Sequence, residues 1–241
     1  MSSAFLTVLL YTTVPVVAAF LGSVIAAYRE LSPNLRSAIQ HLAAGIVFAV
    51  ASVEMLPDVE KGSPVMIIIG FAVGVAVMLA IKKFGQRLEE AESGASKWPT
   101  GMLAAVGVDR AIDGLVLGIG FAAAAKLGVI LTIGISLEVL FVAVAIAATL
   151  KKNGLGTTAV IATPVGLSLS TMLFAIIGAV ALQGLSPENL APVLAFGAAA
   201  LLYLVTEELL SEAHEIADTI FSTTMFFVGF LAFLVLDMLT A

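Results

Sequence analysis

The stretch GVILTIGISLEVLFVAVAIAAT, residues 128–149, holds a single ionisable side chain, Glu138, in an otherwise apolar run. A helix that crosses the roughly 30 Å hydrocarbon core of a bilayer needs about 20 mostly apolar residues. This stretch meets that length, and the rest of the chain is of the same kind. Of 241 residues, 61% are hydrophobic and 12% charged, and the mean hydropathy is +1.13. Soluble domains carry roughly 25% charged residues and cannot hide this much apolar surface. The composition excludes a soluble enzyme and a disordered chain. The 11 Lys and Arg against 17 Asp and Glu leave no basic footprint for a nucleic-acid partner. With no cysteine there is no disulfide and no thiolate metal site. What remains is an all-α polytopic membrane protein whose solvent is lipid.

Eight such runs are read near residues 4–28, 38–56, 64–82, 101–124, 128–149, 157–182, 190–211 and 218–239. The break at Lys126 to Gly128 is the shortest between them. Together they fill nearly the whole of 1–241, a single transmembrane domain with no room for a soluble one. The odd-numbered loops hold Arg29, Arg36, Lys82, Lys83, Arg87, Lys97, Lys151 and Lys152, whereas the even-numbered loops hold only Lys61 and Lys126. The positive-inside rule therefore puts the odd loops in the cytoplasm and both termini outside, as in a multi-pass protein of the cell membrane. The first span lacks a basic leader and is too long for a cleaved signal peptide.

Spans 2 and 7 share a pattern. Ser52-Val53-Glu54-Met55-Leu56-Pro57-Asp58 aligns with Thr206-Glu207-Glu208-Leu209-Leu210-Ser211-Glu212 at an offset of 154. The same offset carries Pro64 to Asp218 and Ala4 to Thr158, so spans 1–3 match spans 6–8. Five spans separate the paired units, an odd number, and the expectation is an inverted 3+2+3 repeat of the kind secondary transporters use.

Ionisable groups at membrane depth are expensive and concentrate at functional sites. Span 4 carries Asp109, Arg110 and Asp113, and span 5 carries Glu138. Asp109 and Asp113 are four residues apart and share a helix face. At 1.5 Å per residue, Asp113 and Glu138 fall near mid-bilayer, with Asp109 about 6 Å nearer the cytoplasm. Two readings fit. In one, the three carboxylates form an oxygen-ligand site for a divalent cation, which their excess over Arg110 suits. In the other, Arg110 pairs with Asp113 and Glu138 while Asp109 stays protonated, and the group is a buried cluster that only locks two helices together.

Further charges lie at the ends of spans. Glu54 and Asp58 mark an outer mouth, where acids concentrate cations. His41, Glu207, Glu208, Glu212 and His214 mark a cytoplasmic exit, where imidazole and carboxylate suit zinc-like ions. Solvated helix ends account for the outer acids and for the last turn of span 7 as well, but less well for Glu207 and Glu208, which precede Leu209 and Leu210 inside the apolar run. Gly114-x-x-x-Gly118 and Gly70-x-x-x-Gly74 permit close helix approach, within the chain or between two copies in a homodimer. Pro15 and Pro164 are kink positions in spans 1 and 6.

Eight spans with both ends outside resemble the ZIP (Zrt/Irt-like) family of divalent-metal transporters. Ala43-Ala44-Gly45 followed by Met55-Leu56-Pro57-Asp58 resembles the family's second span. Glu207-Glu208-Leu209-Leu210-Ser211-Glu212-Ala213-His214 resembles its seventh. Asp113-Gly114-Leu115-Val116-Leu117-Gly118 resembles the end of its fourth-span motif, H-N-x-x-[DE]-G-L-A-x-G. The resemblance implies metal ligation by Asp109, in the place of the family His, by Asp113, and by Glu138 in the fifth span. It puts Arg110 in the place of the family Asn, as an electrostatic surrogate for a second ion. The family's fifth-span bridging acid is replaced, since the stretch reads Glu138-Val139-Leu140-Phe141-Val142-Ala143. Residues 166–171 of the sixth span offer only hydroxyls where the family usually supplies a Glu. The expected function is transport of a divalent metal such as zinc, bound as substrate and not as a tightly held cofactor. The alternative is a ZIP-like protein that has lost metal transport and moves another solute or serves as a sensor or scaffold. An enzyme is not expected, because no His or Cys lies at depth and Asp109 and Asp113 sit one turn apart without facing each other.

The orientation is directly testable in this cysteine-free chain. A cysteine introduced at Ser93 is expected to resist an impermeant thiol reagent in intact cells and to react after permeabilisation. Labelling from outside would reverse the topology.

Overall fold

Residues 3–29, 32–90, 97–214, 216–217 and 219–240 are described in the computed structural model, and they contain helices and no strand. The order is α1 (Ser3–Tyr11), α2 (Thr13–Tyr28), α3 (Pro33–Ala49), a π-helical turn (Val50–Met55), α4 (Leu56–Val59), α5 (Pro64–Glu90), α6 (Thr100–Ala123), α7 (Ala125–Lys152), α8 (Thr157–Ala181), α9 (Pro187–Tyr203), a second π-helical turn (Leu204–Leu209), α10 (Leu210–Ala213) and α11 (Ile220–Thr240). Seven helical segments are long and apolar enough to cross a membrane. The eighth, α6, is 24 residues long but carries Asp109, Arg110 and Asp113. The protein is a multi-pass helical membrane protein.

Several boundaries differ from the sequence reading, each for a local reason. The first span is interrupted at Thr12, whose hydroxyl donates to the Leu9 carbonyl. Pro15, four residues after Tyr11, has no N–H to return to the Tyr11 carbonyl. The third span continues past Lys82 to Glu90, because Lys, Gln, Arg, Leu and Glu sustain a helix into water. The shortest break falls at Ala124, one extended residue, and not at Lys126 to Gly128, which lie inside α7. Gly128 serves the hairpin differently: a β-carbon there would fall on the Phe121 ring.

Spans 2 and 7 begin and bend alike. Ser32 and Ser186 cap α3 and α9, accepting from Leu35 N at 3.3 Å and Asn189 N at 3.4 Å, with Pro33 and Pro187 in the first turn. Both helices run 17 residues and then widen into a π turn of six. In each turn a hydroxyl bonds back one turn: Ser52 to the Phe48 carbonyl at 2.8 Å and Thr206 to the Leu202 carbonyl at 3.0 Å. Such back-bonding competes with the helical ladder and bends helices, and π turns recur at functional sites. Every one of these features in α3 has its counterpart 154 residues on. The start of span 8 at Asp218 lies outside the described residues.

The chain forms two compact units. One comprises residues 1–30 and 76–183, and in it α2 lies along α7 while α6 lies along α8 and α7. The other comprises residues 31–75 and 184–241, and in it α3 lies along α11. Glycine sets the closest approaches, since without a water-driven hydrophobic effect, membrane helices associate through tight packing. A β-carbon on Gly114 or Gly118 would fall on the α8 carbonyls of Thr171 or Ala175, and one on Gly70 would fall on the Pro192 carbonyl in α9. Both small-residue motifs therefore serve packing within the chain.

Gly114→Ala is expected to destabilise the protein by about 1–3 kcal/mol, because the α6–α8 backbones must separate. Gly166→Ala, where a β-carbon meets nothing within 4 Å, is expected to be neutral or to stabilise by up to about 1 kcal/mol. Thermal unfolding in detergent distinguishes the two.

Candidate metal site

Helices α6 and α7 form an antiparallel hairpin around Ala124, which places the middle of one beside the middle of the other. Asp109, Arg110 and Asp113 project from the middle of α6, and Glu138 from the middle of α7. The short connection and the spacing in sequence are what bring the four together. Each of Asp109, Asp113 and Glu138 offers a carboxylate oxygen within 4.8 Å of the others. Arg110, Asp113 and Glu138 are buried, at 2%, 4% and 1% exposure, and Asp109 is half-buried.

Arg110 joins all three acids. Its Nη2 donates to Asp109 Oδ2 at 2.5 Å and to Glu138 Oε1, and its Nη1 lies 2.9 Å from Asp113 Oδ2. This adds Asp109 to the pairing with Asp113 and Glu138 read from the sequence, and the planar guanidinium fork has donors enough for it. Three carboxylates and one guanidinium leave a formal charge of −2. Glu138 faces the helix bundle, not lipid. The site lies wholly within the unit formed by residues 1–30 and 76–183. In the same unit Thr171 of α8 is fully buried and Ser136 of α7 nearly so, and neither hydroxyl has a hydrogen-bond partner among the described residues.

The residues read as mouth and exit belong to the other unit. Glu54 and Glu208 occupy the same place, the fifth residue, in their respective π turns, and both are half-buried. Asp58 pairs with Lys61 at 2.5 Å near the surface, and Glu207 is exposed. The rings of His41 and His214 meet edge-on with centroids 5.2 Å apart. His41 is buried, and its Nδ1 lies 2.9 Å from the Ser37 carbonyl, so it is the Nδ1–H that donates. Ser37 and Gln40 are buried on the same face of α3, a polar stripe whose i, i+3, i+4 spacing was available in the sequence. The Glu212 side chain lies outside the described residues.

Neither a scan against protein-family models nor a search of curated proteins found a match to this chain.

The cluster's stability depends unequally on its members. Arg110→Leu strands two buried carboxylates and the half-buried Asp109, and is expected to cost on the order of 3–5 kcal/mol. Asp109→Asn leaves Arg110 with two acids and is expected to cost no more than about 2 kcal/mol. Thermal unfolding of the detergent-solubilised variants tests this order.

Proposed function

We propose that this chain transports a divalent, zinc-like metal cation across the cell membrane, and that Asp109, Asp113 and Glu138 ligate the ion in transit. The observation that carries the reading is the convergence of three carboxylates from α6 and α7 inside an apolar helical bundle. Oxygen ligands at this spacing suit hard and borderline divalent ions, and groups so expensive to hold in lipid have a use.

The wider frame is a ZIP-like bundle with an inverted 3+2+3 repeat and both termini outside. The matching caps, lengths and π turns of spans 2 and 7 support the repeat. So does the pairing of span 2 with span 8, seen in α3 on α11, against the approach of span 3 to span 7, seen at Gly70 and Pro192. In this frame Glu54 and Asp58 gather cations at the outer mouth, and His41, Glu207, Glu208, Glu212 and His214 release them to the cytoplasm. No ATP-binding motif is present in the sequence, so the movement is passive or coupled to a gradient.

A second reading draws on Arg110. Because its guanidinium engages all three acids, the cluster also suits a ZIP-like protein that has lost metal transport and serves as a sensor or scaffold.

Uptake into proteoliposomes separates these readings. The wild type is expected to accumulate at least one of Zn2+, Cd2+ and Mn2+. Uptake should weaken as pH falls, because protons compete with the metal for the same carboxylates. Asp113→Asn keeps the size but not the charge and is expected to reduce uptake to that of empty vesicles. A wild type that moves none of these ions, or an Asp113→Asn variant as fast as wild type, would overturn the transport reading.

A further inference from the structure

We propose that Arg110 is a tethered cation that holds the metal's place, so that a divalent ion binds the three carboxylates only by displacing its guanidinium. This rests on the carboxylate reading of the function and adds how the site is regulated and how it selects by charge.

The geometry carries the argument. Three oxygens all within 4.8 Å of one another have a common point no more than about 2.8 Å from each, close to the 2.0–2.6 Å at which oxygen ligands hold small divalent ions. The Arg110 nitrogens already stand at that range: Nη2 is 2.5 Å from Asp109 Oδ2 and also bonded to Glu138, and Nη1 is 2.9 Å from Asp113 Oδ2. One oxygen of each carboxylate is therefore engaged by the guanidinium. An ion added beside it would share those oxygens with a second cation a few ångströms away, and such a pair repels by several kcal/mol in a poorly polarisable interior. Arg110 cannot yield by losing its proton either, since arginine stays charged in proteins. It must move, and its long flexible stem on α6 permits this while the backbone stays fixed.

Displacement does not remove the charge. With the guanidinium still held in the bundle, three carboxylates and one divalent ion bring the local sum to zero. A monovalent ion leaves a net negative charge and a trivalent ion a net positive one, and either is costly in lipid surroundings. Arg110 thus makes the site neutral for charge two. It also refills the site when the ion leaves, so that the carboxylates are never left without a cation.

The test is binding of Mn2+ and Tb3+ to the purified protein, measured by calorimetry for Mn2+ and luminescence for Tb3+. Wild type, Arg110→Gln and the double variant Asp109→Asn/Arg110→Gln are compared. The double variant keeps the wild-type formal charge of −2, and it carries the test if Arg110→Gln is too unstable to purify. Arg110→Gln is expected to bind Mn2+ at least tenfold more tightly than wild type, because no tethered competitor remains, and the double variant, which also loses the Asp109 ligand, to bind it more tightly by a smaller factor. Arg110→Gln, with one more uncompensated acid, is expected to gain more for Tb3+ than for Mn2+. Free guanidinium at millimolar concentration is expected to compete with Mn2+ in both variants and not in wild type. If wild type binds Mn2+ and neither variant binds it more tightly, Arg110 is not a competitor, and the carboxylate site stands without this mechanism. If neither wild type nor either variant binds any ion, while all remain folded, the carboxylate reading fails and the proposal with it.

Discussion

A guanidinium inside an apolar bundle cannot stand alone. Taking such an ion out of water is costly by several kcal/mol even after relaxation, and only close anions return that energy. Arg110 is met by Asp109, Asp113 and Glu138, and this requirement dictates much of the unit around it. The acids must come from two helices at matched depth, so α6 and α7 are joined by one residue and run antiparallel. The pair must be shielded, so α6 also lies against α8, at a distance that Gly114 and Gly118 allow.

The other unit, residues 31–75 and 184–241, is built differently among its described residues. It holds its polar groups along α3, where Ser37, Gln40 and His41 are buried, and at two π turns. There the constraint is the backbone ladder. A π turn lets a helix change direction while its carbonyls remain bonded, which matters where water is scarce. Ser52 and Thr206, each bonded one turn back, mark where the ladder is weakened.

Much of this was legible in the sequence because lipid imposes simple rules. Span number and approximate position follow from apolar length alone. The clustering of Asp109, Asp113 and Glu138 followed from helical spacing and from a connection too short for anything but a hairpin. Local bonding was harder to read. The break at Thr12 depends on a hydroxyl choosing a carbonyl, and the one at Ala124 falls in a run of alanines with no turn-forming residue. The π turns leave no mark in hydrophobic periodicity, since the apolar run continues through them. The reach of Arg110 to three acids at once depends on the rotamer of a long side chain, which spacing does not fix.

The one-residue joint at Ala124 also bears on how the chain reaches its membrane. Each of Asp109, Arg110 and Asp113 opposes insertion of a lone helix by about 3 kcal/mol near the bilayer centre, which the apolar residues of α6 offset only in part. Helix α7 is by contrast among the most apolar, and Glu138 is its single acid at depth. Joined through Ala124, α6 and α7 form a hairpin in which Glu138 meets Arg110, so the charges of α6 do not face lipid alone. The residues read as a site are in this sense also the clasp that makes their own helix insertable. A substitution that breaks the clasp would be felt first during biogenesis, as a chain missing two adjacent crossings.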